Sequence, residues 1–261
     1  LPTKAQDYNG FTRIFCKRRK TKWGFDVSGS ANLNVLHNCL FKSGFALRRT
    51  KDDVLDELPD KTYRLLPMEM SNHGAELKWG DTLRKADLKK SGLGLGAGEL
   101  AEARRDLSMD KLDAVIDYCK EQTGQVVIFG WHKDFLEALS SELNGVLYNG
   151  TMTPAQKEKS KQMFLNGSSR YFVANIESAG TGLDGLQHVS SHCIFAEIPW
   201  TYAQIAQATD RLHRMGQKDP VLADLLVLKG GVESYIMNTV LKKEQRETEL
   251  LLDKNKVSFN I

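Results

Sequence analysis

Short apolar runs alternate with helix-spaced apolar positions from Leu107 onward. The apolar runs predict strands over residues 125–129, 146–148, 170–174, 192–197 and 221–228. Apolar residues three and four apart predict helices over 108–121, 133–143, 154–165, 202–214 and 231 to about 252. Short apolar strands separated by helices predict an α/β fold, with a parallel sheet covered by helices on both faces. Ligands of such sheets bind at the carboxyl ends of the strands, so the loops there are the first candidates for a site.

Two regions precede this regular part. Residues 1–61 are basic and rich in aromatic side chains, and we expect a mainly helical segment there. Residues 62–106 include the glycine-rich stretch KKSGLGLGAG, which lacks phosphate-loop spacing and is more typical of a hairpin or linker. The sequence therefore predicts three parts: 1–61, a linker or insertion over 62–106, and a main domain over 107–261.

Composition narrows the class of protein. The 261 residues are 41% hydrophobic and 26% charged, as in a globular protein, and no apolar run approaches the ~20 residues of a membrane span. The four cysteines are far apart, which argues against a zinc site or a disulfide framework and favours a reducing, intracellular compartment. Because the chain begins at Leu1 and not at Met, we expect a fragment or a processed product.

Charge is concentrated at the start of the chain. Residues 1–51 carry eleven lysines and arginines against two acidic residues, although the net charge of the whole chain is only +3. Such a segment indicates a polyanionic partner, and a solvated charged face is the alternative interpretation. Within it, the run CKRRKTK at 16–22 makes Arg18 and Arg19 candidate DNA contacts.

Two later segments could carry chemistry. The loop NIESAGTGLDGL at 175–186 lets the backbone approach a ligand closely and offers the Ser178 hydroxyl and the Asp184 carboxylate, although packing alone also explains such a loop. The predicted helix after residue 201 places Gln204, Gln207, Arg211 and Arg214 on one face. Such a row of donors suits a transferring phosphoryl group or the phosphates of a nucleic acid, whereas a plain surface helix is the alternative.

These segments resemble motifs of one family. The sequence QATDRLHRMGQ at 207–217 is similar to the sixth motif of Swi/Snf-type superfamily-two helicases, and SAGTGL at 178–183 is similar to the fifth. QVVIFGWH at 125–132 and FAEIPW at 195–200 also fit, and LRRTKDDVLDELPDK at 47–61 looks like the segment that joins the two lobes of that family. The stretch KWGFDVSGS at 22–30 most resembles the annealing-helicase subgroup, which implies a link to DNA repair.

The resemblance implies the RecA-like second lobe of an ATP-driven motor on DNA over residues 107–261, ending in a helix that braces one lobe against the other. Residues 1–61 would be the end of the first lobe and the lobe junction. ATP and Mg²⁺ would be the cofactors and DNA a partner. By matching motif positions, Arg211 and Arg214 would be arginine fingers, and Gln207, Gly182 and Asp184 would meet the nucleotide or the other lobe. The resemblance places four further residues near the DNA backbone: His132, Lys133, Asn175 and Ser178.

The chain also departs from the family pattern. It contains neither G-x-x-x-x-G-K-[ST] nor D-E-x-H, so a first RecA-like lobe of the same protein would hold ATP and Mg²⁺. We therefore expect the isolated chain not to hydrolyse ATP, and we assign no metal ligand to it. Two alternatives stay open. One is a stand-alone nucleic-acid-binding or regulatory module, and the other is a domain that binds only proteins.

Overall fold

The structure is a computed structural model that describes residues 4, 6–22, 24–47, 57–69, 97–179, 183–229, 233–234, 236–238, 240–241 and 259–260. The chain forms two compact units, one of residues 1–56 with 241–257 and the other of residues 57–240 with 258–261. In the described ranges, every helix is too short or too polar to cross a bilayer.

The described part of the first unit, within residues 4–47, contains two helices and a hairpin. Helix α1 (Tyr8–Phe15) begins where the Asp7 carboxylate accepts a hydrogen bond from the Gly10 N–H at 2.6 Å. Strands β1 (Arg19–Thr21) and β2 (Gly24–Asp26) pair antiparallel, and helix α2 (Leu33–His37) continues into a π-helical turn over Asn38–Lys42. Helices are therefore present in the described part of this segment without making up most of it, and the hairpin is an addition that the sequence pattern did not predict.

The second unit is built on a parallel sheet with strand order β5-β6-β4-β7-β8-β3-β9. Every neighbouring pair in it is parallel. The strands are β3 (Lys61–Met68), β4 (Val126–Gly130), β5 (Val146–Tyr148), β6 (Tyr171–Asn175), β7 (His192–Phe195), β8 (Val221–Leu228) and the two-residue β9 (Phe259–Asn260). The predicted α/β class and parallel sheet are confirmed.

The described helices around this sheet include α3 (Ala97–Asp110), α4 (Leu112–Glu121), α5 (Lys133–Glu142), α6 (Pro154–Leu165), α7 (Ile176–Ala179) and α8 (Tyr202–Thr209). Helix α6 begins with a capping box in which Thr153 and Gln156 exchange side-chain and backbone hydrogen bonds, with Pro154 at the first position. The described residues between 233 and 241 are helical. The rest of the predicted C-terminal helix lies outside the described residues.

The core lies where α4 and α5 pack on the central strands. Every residue of β4 is buried, as expected for a strand covered on both faces. The apolar side chains of α5 that share this core are Phe135, Leu136, Leu139 and, just after the helix, Leu143. Fully burying each such side chain stabilises the fold by about 1.5–3 kcal/mol, so these contacts contribute strongly to the stability of the central strands.

Strand β3 lies inside the region predicted as a linker over 62–106. It pairs with β8 along its whole length, from Lys61 opposite Val221 to Met68 opposite Leu228. The apolar pattern predicts no strand here because Arg64 and Pro67 interrupt it. This part of the predicted linker is therefore part of the sheet, and helix α3 occupies the end of the same region.

Helix α8 is shorter than predicted. It ends at Thr209, and Asp210 caps it, so residues 210–214 follow as turns and not as a continuation to Arg214. The Arg211 N–H bonds to the Ala208 carbonyl at 3.1 Å, a tighter spacing than an α-helix has. The expectation that the glutamines and both arginines share one helical face is therefore wrong.

Tertiary contacts explain where α8 stops. Asp210 pairs with Lys61 at the start of β3 at 3.1 Å, and the ring Nε2 of His213 lies 2.8 Å from the Pro59 carbonyl oxygen. Gly216 has φ +93°, which reverses the chain toward β8 and which L side chains rarely adopt. Interactions with the sheet therefore replace the last turn of the predicted helix.

Candidate functional site

Four predicted DNA-contact residues lie at the carboxyl ends of neighbouring strands. His132 and Lys133 follow β4, Asn175 ends β6, and Ser178 lies in α7 directly after it. Since β4 and β6 are adjacent and parallel, these residues occupy one edge of the sheet.

Asn175 joins two loops at this edge. Its Nδ2 donates to the Trp131 carbonyl at 2.8 Å, and its Oδ1 accepts the Ser178 N–H at 3.2 Å. The loop after β5 also comes close, because a Cβ added to Gly150 would lie 3.3 Å from the Ser178 hydroxyl. Asn175 thus holds the loops after β4 and β6 together with its own hydrogen-bonding groups.

Glu197, in the loop after β7, is the centre of a second set of contacts. Its Oε2 accepts the Trp131 and His132 N–H groups at 2.6 and 2.9 Å. Its Oε1 lies 2.5 Å from His132 Nδ1 and accepts the Ser108 hydroxyl at 2.6 Å. Burial alone would raise the pKa of Glu197, but these hydrogen bonds outweigh it and lower that pKa to about 2.

Gly130 makes room for this arrangement at the end of β4. A Cβ at this position would lie 2.7 Å from Leu136 Cδ2 and 3.0 Å from Glu197 Oε2. Both distances are too short for ordinary contacts, so a larger residue at this position would force the Leu136 or Glu197 side chain to shift.

Lys133 is the exposed cation of this edge. It is the first residue of α5 and makes a 3.6 Å ion pair with Glu137 one turn later, with both side chains about half exposed. Such surface pairs are weak, so the ammonium group can exchange this partner for a phosphate.

The two predicted arginine fingers and Asp184 form a separate group. Arg214 Nη1 lies 3.1 Å from Asp184 Oδ1, and these side chains are 36% and 67% exposed. Arg211 Nη1 lies 3.5 Å from the Leu183 carbonyl oxygen. The pKa of Asp184 is lowered mainly by the hydrogen bond that its carboxylate accepts from the Gly185 N–H, and secondly by the positive charge of the Arg214 guanidinium. The loop that begins at residue 183 and the turn 210–214 are therefore packed together.

This group does not share the carboxyl edge with the DNA candidates. The turn that carries the arginines continues to Gln217, whose Nε2 donates to the carbonyl of Ser190, two residues before β7. His213 contacts Pro59, two residues before β3. The segment thus runs beside the amino ends of β3 and β7.

The remaining predicted residues are dispersed. Gln207 is exposed on α8, and in the described ranges no hydrogen bond joins it to either arginine. Gly182 lies outside the described residues. In the first unit, the Arg18 guanidinium lies 3.4 Å above the Phe25 ring and donates to Asn9 Oδ1 at 3.1 Å, while Arg19 is exposed on β1.

Neither a metal centre nor a metal-ligand cluster is evident in the part of the chain that the structure describes. No three or more His, Cys, Asp or Glu side chains there are grouped so that they could hold an ion. Sequence reasoning missed Glu197 as a site residue. The sequence did contain an indication of its role. An acidic residue inside the apolar stretch FAEIPW, directly after a buried strand, is buried only if other groups donate hydrogen bonds to it.

Comparison with known proteins identifies the domain that carries both groups. The model of the helicase conserved C-terminal domain matches residues 109–216. These residues are a helicase C-terminal domain. The domain contains the DNA candidates, the arginines and Glu197, whereas nearly all of helix α3 precedes it.

Longer relatives place the helicase C-terminal domain in its subgroup. The chain is 28% identical over 255 residues to the SWI/SNF-related matrix-associated actin-dependent regulator of chromatin subfamily A-like protein 1 of Bos taurus, covering 93% of this chain and 26% of that protein. It is 27% identical over 265 residues to the DNA annealing helicase and endonuclease ZRANB3 of Homo sapiens, covering 94% and 24%. The resemblance to Swi/Snf-type helicases of the annealing subgroup is confirmed. The chain spans about a quarter of the length of these relatives.

A solved structure supports the fold of the helicase C-terminal domain. The C-terminal part of the Fun30 ATPase domain superposes with a TM-score of 0.54 at 16% identity, covering 70% of this chain and 89% of that one. The parallel sheet with its surrounding helices is therefore RecA-like.

Proposed function

We propose that this chain is the C-terminal lobe of an ATP-dependent DNA helicase or translocase. Arg211 and Arg214 act as arginine fingers, and the carboxyl edge of the sheet contacts the DNA backbone. The observation that carries the proposal is the partly exposed Arg214 guanidinium, which lies beside Asp184 on a turn that also carries Arg211.

The arginines suit a phosphate ligand. Arg214 pairs with a carboxylate that is itself 67% exposed, and such surface pairs contribute only about 0–1 kcal/mol. A nucleotide phosphate can therefore take the place of Asp184 with little loss. An arginine finger can accelerate phosphoryl transfer by about 10³–10⁵.

ATP and Mg²⁺ require a second surface in this proposal. Bound ATP with its Mg²⁺ supplies the phosphoanhydride bond that is hydrolysed. Arg211 and Arg214 would hold its phosphates from one side, with Gln207, Gly182 and Asp184 near the nucleotide. A first RecA-like lobe of the same protein would hold Mg²⁺ and the rest of the nucleotide, so the isolated chain is expected to be inactive.

DNA binding is assigned to two surfaces, one in each unit. The first is the carboxyl edge, where Lys133 is exposed and His132, Asn175 and Ser178 are half-buried. The second is the β1–β2 hairpin, where every residue of both strands is exposed and where Arg19 lies next to Arg18. Contacts of this kind weaken steeply with salt, because bound phosphates release counterions.

The test uses the full-length protein that contains this chain. The variant Arg214→Ala is expected to lower DNA-stimulated ATP hydrolysis by at least about 10³-fold while duplex affinity stays within twofold. The matched control is Lys218→Ala, which removes an exposed cation a few residues away. ATPase activity of Arg214→Ala equal to that of Lys218→Ala would refute the arginine-finger role.

The exposed basic hairpin favours a second candidate, a nucleic-acid-binding or regulatory module without motor activity. In that case Arg214→Ala would change only DNA affinity or nothing at all. A double variant Arg18→Ala/Arg19→Ala would then abolish nucleic-acid binding. The wild-type protein itself would show no ATPase activity.

A further inference from the structure

Glu197 connects three segments of the chain through one buried carboxylate. The residue is 1% exposed, and its carboxylate accepts hydrogen bonds from α3, from the backbone of the loop after β4 and from an imidazole. A carboxylate removed from water is stable only with several such partners. Neither the proposed nucleotide site nor the proposed DNA contacts include this carboxylate.

The ionised state of Glu197 decides how His132 is oriented. Its pKa of about 2 makes it a carboxylate at neutral pH, and a carboxylate can only accept hydrogen bonds. His132 Nδ1 must therefore carry the hydrogen of the 2.5 Å contact. Nε2 is the ring nitrogen left for a ligand, on a side chain that is 16% exposed.

Helix α3 holds Glu197 and its surroundings in place. The Ser108 hydroxyl donates to Glu197 at 2.6 Å, and one turn earlier Arg104 Nη2 donates to the Ile198 carbonyl at 2.5 Å. The Arg104 guanidinium also lies 5.2 Å from the Trp131 ring centroid and 5.4 Å from that of Trp200. Trp131 belongs to the loop after β4 and Trp200 to the loop after β7, so one buried arginine contacts both loops.

A neighbouring residue on the same helix provides a contrast. Arg105 pairs with Asp134 at 2.6 Å, but these side chains are 61% and 39% exposed. This pair joins α3 to the first turn of α5 at the surface and touches neither Glu197 nor His132 in the described structure.

We propose that Glu197 is a positioning residue for DNA binding. It fixes the His132 ring and the backbone at residues 131–132, and α3 holds it through Ser108 and Arg104. In the DNA complex the ring carries a hydrogen on each nitrogen, so that Nδ1 donates to Glu197 and Nε2 donates to a backbone phosphate. The proposal rests on the DNA contact assigned to His132 under the proposed function, and it adds Ser108 and Arg104 of α3, which both precede the matched family domain, to the residues that support DNA binding.

The first experiment measures duplex affinity of the full-length protein at several salt concentrations. Glu197→Gln and His132→Asn are each expected to weaken binding about tenfold, the scale of one hydrogen bond to a charged group. The double variant is expected to bind no more weakly than either single variant, because both changes remove the same contact. Arg105→Ala is the matched control and is expected to bind like the wild type.

A second measurement reports the orientation of His132 directly. Imidazole ¹⁵N chemical shifts of this 261-residue chain are expected to show a hydrogen on Nδ1 in the wild type. In Glu197→Gln the amide can donate to Nδ1, so the hydrogen is expected to move to Nε2. Such a neutral ring makes only an uncharged hydrogen bond to phosphate, because no carboxylate is left to balance a ring with hydrogens on both nitrogens, and the weaker bond accounts for the lower affinity. If Glu197→Gln does not fold, Ser108→Ala removes a single hydrogen bond and is expected to weaken DNA binding about threefold.

The outcomes separate the two proposals. Unchanged affinity in His132→Asn would overturn the DNA contact assigned under the proposed function, and with it the use of Glu197 for DNA binding. Weakened binding in His132→Asn, together with wild-type affinity and wild-type ¹⁵N shifts in a folded Glu197→Gln, would overturn the positioning role alone.

Discussion

Replacing Asp224 should destabilise the sheet more than replacing any surface aspartate. Asp224 is fully buried on β8 and accepts four hydrogen bonds. Two come from Arg64 on β3 at 2.7 and 2.9 Å, one from the Tyr118 hydroxyl on α4 at 2.7 Å, and one is shared with His192 Nε2 on β7 at 2.6 Å. This single carboxylate joins three strands and a helix.

The structure allows the size of the effect to be worked out. Burial alone would raise the pKa of Asp224, but the hydrogen bonds of its partners outweigh it and lower the pKa from 3.8 to about 2. A shift of this size corresponds to about 2 kcal/mol of folding free energy at neutral pH. Removing one member of a buried pair costs about 3–5 kcal/mol, and the 40% exposure of Arg64 reduces this because water can solvate the guanidinium. We therefore expect Asp224→Asn to lower the free energy of unfolding by about 2–4 kcal/mol.

The assay is urea unfolding at neutral pH and in acid. Because the pKa is lower in the folded state, the contribution of Asp224 is complete above about pH 5 and is lost as the pH falls toward about 2. The difference between the wild type and Asp224→Asn should therefore shrink in acid.

The matched control is Asp134→Asn, which breaks the exposed pair with Arg105 and should cost less than about 1 kcal/mol. Equal losses in the two variants, or a pH-independent difference, would refute this reasoning.

Two further substitutions test separate features of the helicase C-terminal domain and its surroundings. Gly216→Ala places a side chain at φ +93° with its Cβ 2.7 Å from His188 Cε1, and we expect a loss of about 1–2 kcal/mol in urea unfolding. A stability equal to that of the wild type would mean that this turn can relax. Glu233→Gln leaves the fully buried Lys111 ammonium, 2.5 Å away, without its counter-charge, and we expect a loss of about 3–5 kcal/mol and a lower thermal midpoint. A loss below about 1 kcal/mol would show that Lys111 becomes neutral or reaches water.

The strands of the central sheet were predictable because their chemistry is local. A parallel strand covered on both faces must be apolar at every position, and β4 shows this in the sequence as well as in its burial. The start of α6 was also predictable, because threonine is a preferred N-cap residue and proline is favoured at the first helical position, as Thr153 and Pro154 are here.

Strand β3 was not predictable in this way. Arg64 interrupts its apolar pattern, and its charge is accommodated by Asp224, which lies 160 residues further along the chain. The end of α8 is a similar case, because Lys61 and Pro59 contact the residues that would have formed its last turn. A local pattern contains no information about such distant partners.

The sequence by itself determined the fold class, the family and the identity of the candidate side chains, because apolar periodicity and motif spacing are properties of neighbouring residues. Only the tertiary structure decided how these side chains are grouped. It separated Arg211 and Arg214 from His132, and it placed the Ser108 hydroxyl and the His132 imidazole on the Glu197 carboxylate, although Ser108 and Glu197 are 89 positions apart along the chain. The physical reason is that a buried charge must be satisfied by whichever groups the packed sheet brings within hydrogen-bonding distance, wherever they occur along the chain.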